Sequence, residues 1–163
     1  MNNNFFVLCK QLGELCSAQK VRIALAESCT GGLVSSLITE VAGSSQWFLG
    51  GAVVYSDLAK KSLLKVDSDL LEEQGAVSEA VAVAMAKGAM TQFESDIALS
   101  ITGIAGPHGG TEAKPVGTVC FALVDRRSGF SEAKVQYFAS GRDWIRKSAA
   151  EFALEWMINH LRS

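Results

Sequence analysis

Ser28 lies at a point in the chain where a serine hydroxyl can act as a nucleophile. Alternating apolar residues (Val21, Ile23 and Leu25) predict a strand before it, and apolar residues at helical spacing predict a helix over 33–41 after it. A hydroxyl at such a junction projects beyond the sheet, and the amides that follow it can point at a developing negative charge. A serine that only caps the helix fits the same residues, and the local sequence alone favours that simpler role.

Lys60 is the candidate base for this nucleophile. Neither histidine is well placed, because His108 lies in a glycine-rich loop and His160 lies near the end of the last predicted helix. A buried lysine can take a serine's proton, since burial disfavours the ammonium form. Lys60 and Lys61 follow a second predicted strand, at the sheet edge where Ser28 is expected. Composition alone would make either lysine an exposed surface residue.

Cys29 is a rival nucleophile, because a thiol beside a helix N-terminus can have a lowered pKa. We expect a structural role instead, since its side chain should point away from that of Ser28. The cysteines show no CxxC spacing and only two histidines could join them, so we expect free thiols and no metal site.

The segment 102–110 follows a third predicted strand and is too rich in glycine for regular structure, so we predict a loop. Its exposed amides, including those of Gly103 and Gly106, and the Thr102 hydroxyl could hold an anion or an oxyanion. Glycine loops alone are weak signals of such a site.

Four further residues could contact a substrate. Gly31 and Gly32 would let a substrate or the backbone approach closely. Lys114 and Arg142 lie in neighbouring predicted loops and could contact a phosphate. The sequence alone favours ordinary surface charges for the last two.

The elements that must position these residues predict an α/β fold. The predicted helices cover about 5–19, 33–41, 58–64, 70–74, 78–93 and the stretch after 143. The predicted strands cover about 21–25, 50–55, 97–101, 119–123 and 135–137. Helices and strands alternate early and a hairpin comes late, which predicts a three-layer α/β/α sandwich around a mixed sheet of about five strands.

Composition narrows the class of protein. The 163 residues are 48% apolar and 20% charged, which favours one folded domain over residues 1–163 and excludes general disorder. The net charge of −2, with scattered positive residues, argues against nucleic-acid binding. No apolar run approaches membrane-spanning length, so we expect a cytoplasmic protein.

Several blocks together resemble the CinA C-terminal domain family. They are Ala-Glu-Ser-Cys-Thr-Gly-Gly at 26–32, Tyr-Ser at 55–56 with Ala-Lys at 59–60, Gly-Ala-Val-Ser at 75–78, and Thr-Gly-Ile-Ala-Gly-Pro at 102–107 with Lys-Pro-Val-Gly at 114–117. The resemblance extends over nearly the whole chain, and its specificity comes from the combination. It implies an amidase that hydrolyses nicotinamide mononucleotide to nicotinate mononucleotide and ammonia, in pyridine nucleotide salvage and without a metal or cofactor.

The resemblance also implies roles for individual residues. Ser28 would be the nucleophile, Lys60 the base, and Tyr55 a nearby orienting or proton-relaying hydroxyl. Thr30 and Thr102 would line the same pocket.

The chain departs from the family pattern at two positions. Gly141 precedes Arg142 where the family usually has an aspartate, which puts the loop geometry at this point in question. Asp57 replaces the usual asparagine.

Two other functions fit parts of the sequence. A nonenzymatic module could bind a phosphorylated nucleotide through the same glycine loops. A DNA-associated factor is suggested only by the family's name, and the acidic balance opposes it. For the amidase we expect a small-molecule substrate and a homo-oligomeric assembly.

Overall fold

The computed structural model describes residues 3–163. The elements in chain order are α1 (Asn3–Gln19), β1 (Ile23–Glu27), α2 (Leu33–Thr39), a 3₁₀ turn (Ser44–Gln46), β2 (Phe48–Val53), α3 (Asp57–Leu64), α4 (Ser68–Gln74), α5 (Glu79–Phe93), β3 (Ile97–Gly103), β4 (Thr118–Asp125), β5 (Phe130–Tyr137) and α6 (Arg142–Arg162).

Within the described residues the strands form one mixed sheet in the order β2-β1-β3-β4-β5. β1 pairs in parallel with both β2 and β3, whereas β3, β4 and β5 pair antiparallel. Glu27 at the end of β1 is level with Val53 of β2 and Ile101 of β3. The chain segments that leave these three strands therefore start at the same edge of the sheet.

Helices cover both faces of this sheet, as the alternation of side chains requires. Large residues such as Leu25, Ile101 and Phe121 point to the face covered by α1, α2 and α6. Small residues such as Ala26 and Ala98 point to the other face, where α5 packs closely with α3 and α4 beside it. The structure confirms the predicted three-layer α/β/α sandwich.

Some predicted boundaries of strands and helices are wrong by a few residues. The strand errors arise because pairing with neighbouring strands decides where each strand ends. β2 spans Phe48–Val53 rather than 50–55, because it extends only as far as its partner β1. Thr102 and Gly103 belong to β3 rather than to a loop, because they pair with β4. α6 includes Arg142 rather than following it.

Asp125 forms a buried polar cluster at the end of β4, at the sheet edge remote from Ser28. Its carboxylate is 2% exposed and accepts hydrogen bonds from Arg127 Nη2 at 2.7 Å and Arg127 Nε at 3.0 Å. The His160 ring lies 2.9 Å away on α6. Burial raises the pKa of Asp125, but the hydrogen bonds with Arg127 and His160 outweigh it and lower the pKa to about 2.

We predict that Asp125→Asn lowers the free energy of unfolding by about 2 kcal/mol at pH 7, since one pKa unit corresponds to about 1.4 kcal/mol. A lowered carboxyl pKa stabilises the folded state above the ordinary value of about 3.9, and this contribution is lost as the pH falls towards 2. The deficit should therefore shrink between about pH 4 and pH 2 in urea titrations. The exposed Asp143→Asn is the control and should change stability by less than about 0.5 kcal/mol. A deficit that is the same at all pH values would contradict this account.

Candidate active site

Ser28 is held at the sheet edge where β1 ends. Its N–H donates to the carbonyl oxygen of Ile101 at 2.9 Å, which fixes it between β1 and β3. The residue is 7% exposed, and its hydroxyl makes no capping bond, because α2 begins only at Leu33 with Gly32 as its N-cap. The helix-cap interpretation of Ser28 is therefore wrong.

Glu27 performs the capping role instead. Its buried carboxylate accepts the N–H groups of Gly32 and Val34, each at 3.1 Å, and of Ser35 at 2.8 Å. It also accepts the Ser35 hydroxyl at 2.7 Å. The amides at the start of α2 are thus occupied, which corrects the expectation that they are free to face a developing anion.

Lys60 is brought to Ser28 by the start of α3. Ser56 caps this helix by accepting the Ala59 N–H at 3.1 Å. Lys60 lies in the first turn, is 1% exposed, and has its Nζ 3.3 Å from Ser28 Oγ. The predicted meeting of the hydroxyl and the amine at one edge of the sheet is present in the structure.

Burial shifts the Lys60 amine towards its neutral form. Burial lowers its pKa, while the Asp57 carboxylate, 3.9 Å away and largely exposed, raises it in part. The Nζ also donates to the carbonyl oxygens of Val54 at 3.0 Å and Tyr55 at 3.3 Å. Carbonyls only accept, so a neutral amine can give them its two N–H groups and keep its lone pair for the Ser28 hydroxyl.

A cleft of about 210 Å³ opens onto this pair. Its lining includes Ser28, Cys29, Tyr55, Asp57, Lys60, Ala76, Val77, Thr102, Gly103, Ala105 and Arg142. Arg142 Nη1 donates to the Gly106 carbonyl at 2.7 Å, and its Nη2 donates to the Tyr55 hydroxyl at 3.1 Å. The exposed Tyr55 and Arg142 therefore form the rim of the cleft.

Cys29 lies beside Ser28 but is 5% exposed and packs in the core. Burial raises the pKa of its thiol to about 12, so the reactive thiolate is scarce at neutral pH. All four cysteines are buried free thiols, as the sequence predicts: Cys9, Cys16, Cys29 and Cys120.

The chain matches the family model described as the CinA C-terminal domain over residues 7–161. It belongs to the CinA C-terminal domain family. This confirms the resemblance found in the sequence blocks.

Relatives of this CinA domain differ in length. This chain is 55% identical over 139 residues to a CinA-like protein of Geobacter sulfurreducens. The matched segment makes up 85% of this chain but only 33% of that protein. The chain is 46% identical over 148 residues to the nicotinamide-nucleotide amidohydrolase PncC of Escherichia coli, covering 91% of this chain and 89% of that protein. The crystal structure of a competence/damage inducible protein from Agrobacterium tumefaciens has a TM-score of 0.92 at 37% identity, covering 98% and 96% of the two chains.

Some residues expected at the site of the CinA domain lie elsewhere. Thr30 is fully buried outside the cleft lining, and Gly31 and Gly32 adopt φ values of 60° and 92°, so they serve the turn rather than the cleft. Lys114 donates to the Gln74 carbonyl at 3.0 Å, beside a separate depression. None of these four residues lines the cleft.

Thr102 does line the cleft, but its hydroxyl proton is already used. Its Oγ1 donates to the Ala76 carbonyl at 2.9 Å and so holds the 75–77 segment against β3. In this arrangement Thr102 shapes the cleft and does not donate into it.

Arg146 and Glu27 are polar residues of this region that sequence reasoning missed. Arg146 Nε donates to the Cys29 carbonyl at 3.2 Å, and its Nη2 donates to the Thr30 carbonyl at 2.9 Å. The sequence could have indicated Arg146, because it lies one helical turn after Arg142 and so on the same side of α6.

Gly141, which stands where the family usually has an aspartate, does not displace Arg142. A Cβ at Gly141 would contact nothing within 4 Å, and Arg142 still reaches both Gly106 and Tyr55.

Over residues 3–163, no helix is long and apolar enough to cross a membrane, and no group of three metal-ligand side chains is found.

We predict that Lys60→Met changes how stability depends on pH. Because the pKa of Lys60 is lowered in the folded protein, the unfolded chain binds the proton more tightly. This destabilises the folded state at neutral pH, and the effect fades as the pH rises towards about 10.4. The wild type should therefore gain stability relative to Lys60→Met as the pH rises from neutral towards about 10 in urea titrations.

Lys61→Met is the matched control, because the neighbouring Lys61 is only partly buried. The stability difference between this variant and the wild type should stay constant over the same range. Parallel curves for all three proteins would show that Lys60 is an ordinary charged lysine.

Proposed function

We propose that this CinA domain is an amidohydrolase that converts nicotinamide mononucleotide to nicotinate mononucleotide and ammonia, with Ser28 as nucleophile and Lys60 as base. The observation that carries the proposal is the 3.3 Å contact between the buried Lys60 amine and the Ser28 hydroxyl. The substrate is suggested by the name of the Escherichia coli relative, 89% of which is matched at 46% identity. A place in pyridine nucleotide salvage follows from that substrate.

In the first half of the proposed reaction, neutral Lys60 accepts the Ser28 proton as Ser28 Oγ attacks the carboxamide carbon. The carbonyl oxygen becomes an oxyanion that backbone amides in the cleft can hold. Lys60 then gives its proton to the nitrogen, the C–N bond breaks and ammonia leaves an ester on Ser28. The positively charged pyridinium ring withdraws electrons and makes this carboxamide more reactive than an ordinary amide.

In the second half, a water molecule replaces the ammonia beside Lys60. The amine accepts a proton from this water, whose oxygen attacks the ester carbon. The proton returns to Ser28 Oγ as the ester bond breaks, and the carboxylic acid product leaves. The same lysine serves both halves, so the site needs only one group that gains and loses a proton.

The dimensions of the cleft suggest how the nucleotide is oriented. Its 210 Å³ is less than the ~300–1,000 Å³ of a typical ligand pocket, so it suits the ring that reacts and leaves the ribose phosphate at the rim. Arg142 supplies positive charge at that rim, next to the Tyr55 hydroxyl. Homo-oligomer formation and a cytoplasmic location stay predictions.

We predict that purified protein releases ammonia from nicotinamide mononucleotide and that Ser28→Ala lowers turnover by about 10³-fold or more. Cys29→Ala removes the rival thiol and should retain most of the turnover. Nicotinamide riboside lacks the phosphate and should react more slowly if the rim recognises that group. Ammonia is measured with a coupled assay on folded protein.

Three outcomes of this assay would contradict the proposal. Undiminished ammonia release by Ser28→Ala would exclude the serine mechanism, and loss in Cys29→Ala alone would favour the thiol. Tight binding of the mononucleotide by the wild type without ammonia release would favour the nonenzymatic nucleotide-binding module.

A further inference from the structure

Arg146 holds the turn after Ser28 from outside the cleft. Its guanidinium group binds two successive carbonyls, those of Cys29 and Thr30, from its place on α6. The described residues that line the cleft do not include Arg146. Its effect on the site must therefore pass through the backbone that it binds.

Two peptide groups connect Arg146 to the amide beside the nucleophile. In a trans peptide the C=O and N–H point in opposite directions, and in residues 3–163 only the Gly106–Pro107 bond is cis. The Thr30 carbonyl, held by Arg146, shares its peptide group with the Gly31 N–H, which donates to the Ser28 carbonyl at 3.0 Å. The Ser28 carbonyl in turn shares its peptide group with the Cys29 N–H. Arg146 thus fixes the direction of the Cys29 N–H through this chain of bonds.

The Cys29 N–H points towards its own thiol, a weak acceptor that a substrate oxygen can replace. Among residues 3–163 it donates to no other residue, whereas Glu27 occupies the N–H groups of Gly32, Val34 and Ser35. Cys29 also lines the cleft. The amide of the residue after a serine nucleophile is a position that other serine hydrolases use to hold an oxyanion.

We propose that Arg146 is a positioning residue, which orients the Ser28–Cys29 peptide group so that the Cys29 N–H donates to the oxyanion of the tetrahedral intermediate. This inference rests on the proposed amidase function. A lysine could not replace the arginine fully, because one ammonium group lacks the planar fork that reaches two neighbouring carbonyls together. The chain of hydrogen bonds also polarises the amide and strengthens its donation.

The test compares steady-state ammonia release from nicotinamide mononucleotide by the wild type, Arg146→Ala and Arg146→Lys. Loss of an oxyanion donor lowers kcat by about 10²–10³-fold, so we expect a fall of about 10²-fold for Arg146→Ala with little change in KM. Arg146→Lys should show a smaller fall. Lys147→Ala is the matched control, because the adjacent Lys147 is exposed and pairs with the exposed Asp143; its kcat should be unchanged.

Two readouts separate positioning from a structural role. Turnover is expressed per folded molecule, so a loss of stability alone leaves kcat at the wild-type value. The acid limb of the pH profile of kcat/KM reports Lys60 and should keep its midpoint, since Arg146 does not contact that amine. If Arg146→Ala does not fold, Arg146→Lys carries the test, with a lowered kcat and an unmoved acid limb expected.

Wild-type kcat in folded Arg146→Ala or Arg146→Lys would overturn the inference and leave the proposed function standing. A loss explained wholly by a shift of the acid limb would also overturn it, because Arg146 would then act on the lysine. A wild-type protein that releases no ammonia would defeat the proposed function, and the inference would fall with it.

Discussion

The site depends on one contact, that between the buried Lys60 amine and the Ser28 hydroxyl. Lys60 is 1% exposed, and the single carboxylate that the described residues place within 4 Å of its Nζ, that of Asp57, is itself largely in solvent. Burial therefore lowers the pKa of Lys60 and shifts its amine towards the uncharged form. The topology makes the contact possible, because β1 ends level with β2 and α3 starts four residues after β2.

The turn that carries Ser28 is fixed by two charged side chains acting on opposite kinds of backbone group. Glu27 accepts N–H groups at the start of α2, and Arg146 donates to the carbonyls of Cys29 and Thr30. Buried backbone groups that lack partners are costly, and a tight turn before a short helix creates several of them. By pairing these groups, the two side chains leave the Cys29 N–H, beside the nucleophile, with no partner in another residue among residues 3–163. The same two side chains therefore hold the turn rigid and leave that amide unpaired with other described residues.

Much of the fold could be predicted from local pattern. Alternation in β1 and β3 assigns Leu25 and Ile101 to one face and Ala26 to the other, and Ser78, where the predicted helix begins, caps α5. The boundary errors arise where pairing with a neighbouring strand, which local sequence does not record, decides where a strand ends. Gly103 is such a case, since it continues β3 by pairing with β4.

The site was harder to predict, because its contacts join distant parts of the chain. Local sequence favoured Ser28 as a helix cap, which is wrong because Glu27 takes that role. Arg146 binds backbone carbonyls, which every residue has, so no partner residue type indicates the contact. Lys114 is the opposite case. Its residue type suits a phosphate, but the fold places its amine at the end of α4, where it binds the Gln74 carbonyl.

The most direct test is an NMR titration of the Lys60 side chain in protein with ¹³C-labelled lysine. The Cε signal of Lys60 is assigned by its absence from the spectrum of Lys60→Met. The account predicts that Lys60 loses its proton at a clearly lower pH than the other lysines, with a pKa below the ordinary value of about 10.4. A Lys60 signal that titrates together with the other lysines would mean that the amine is charged at neutral pH, and would contradict its role as the base for Ser28.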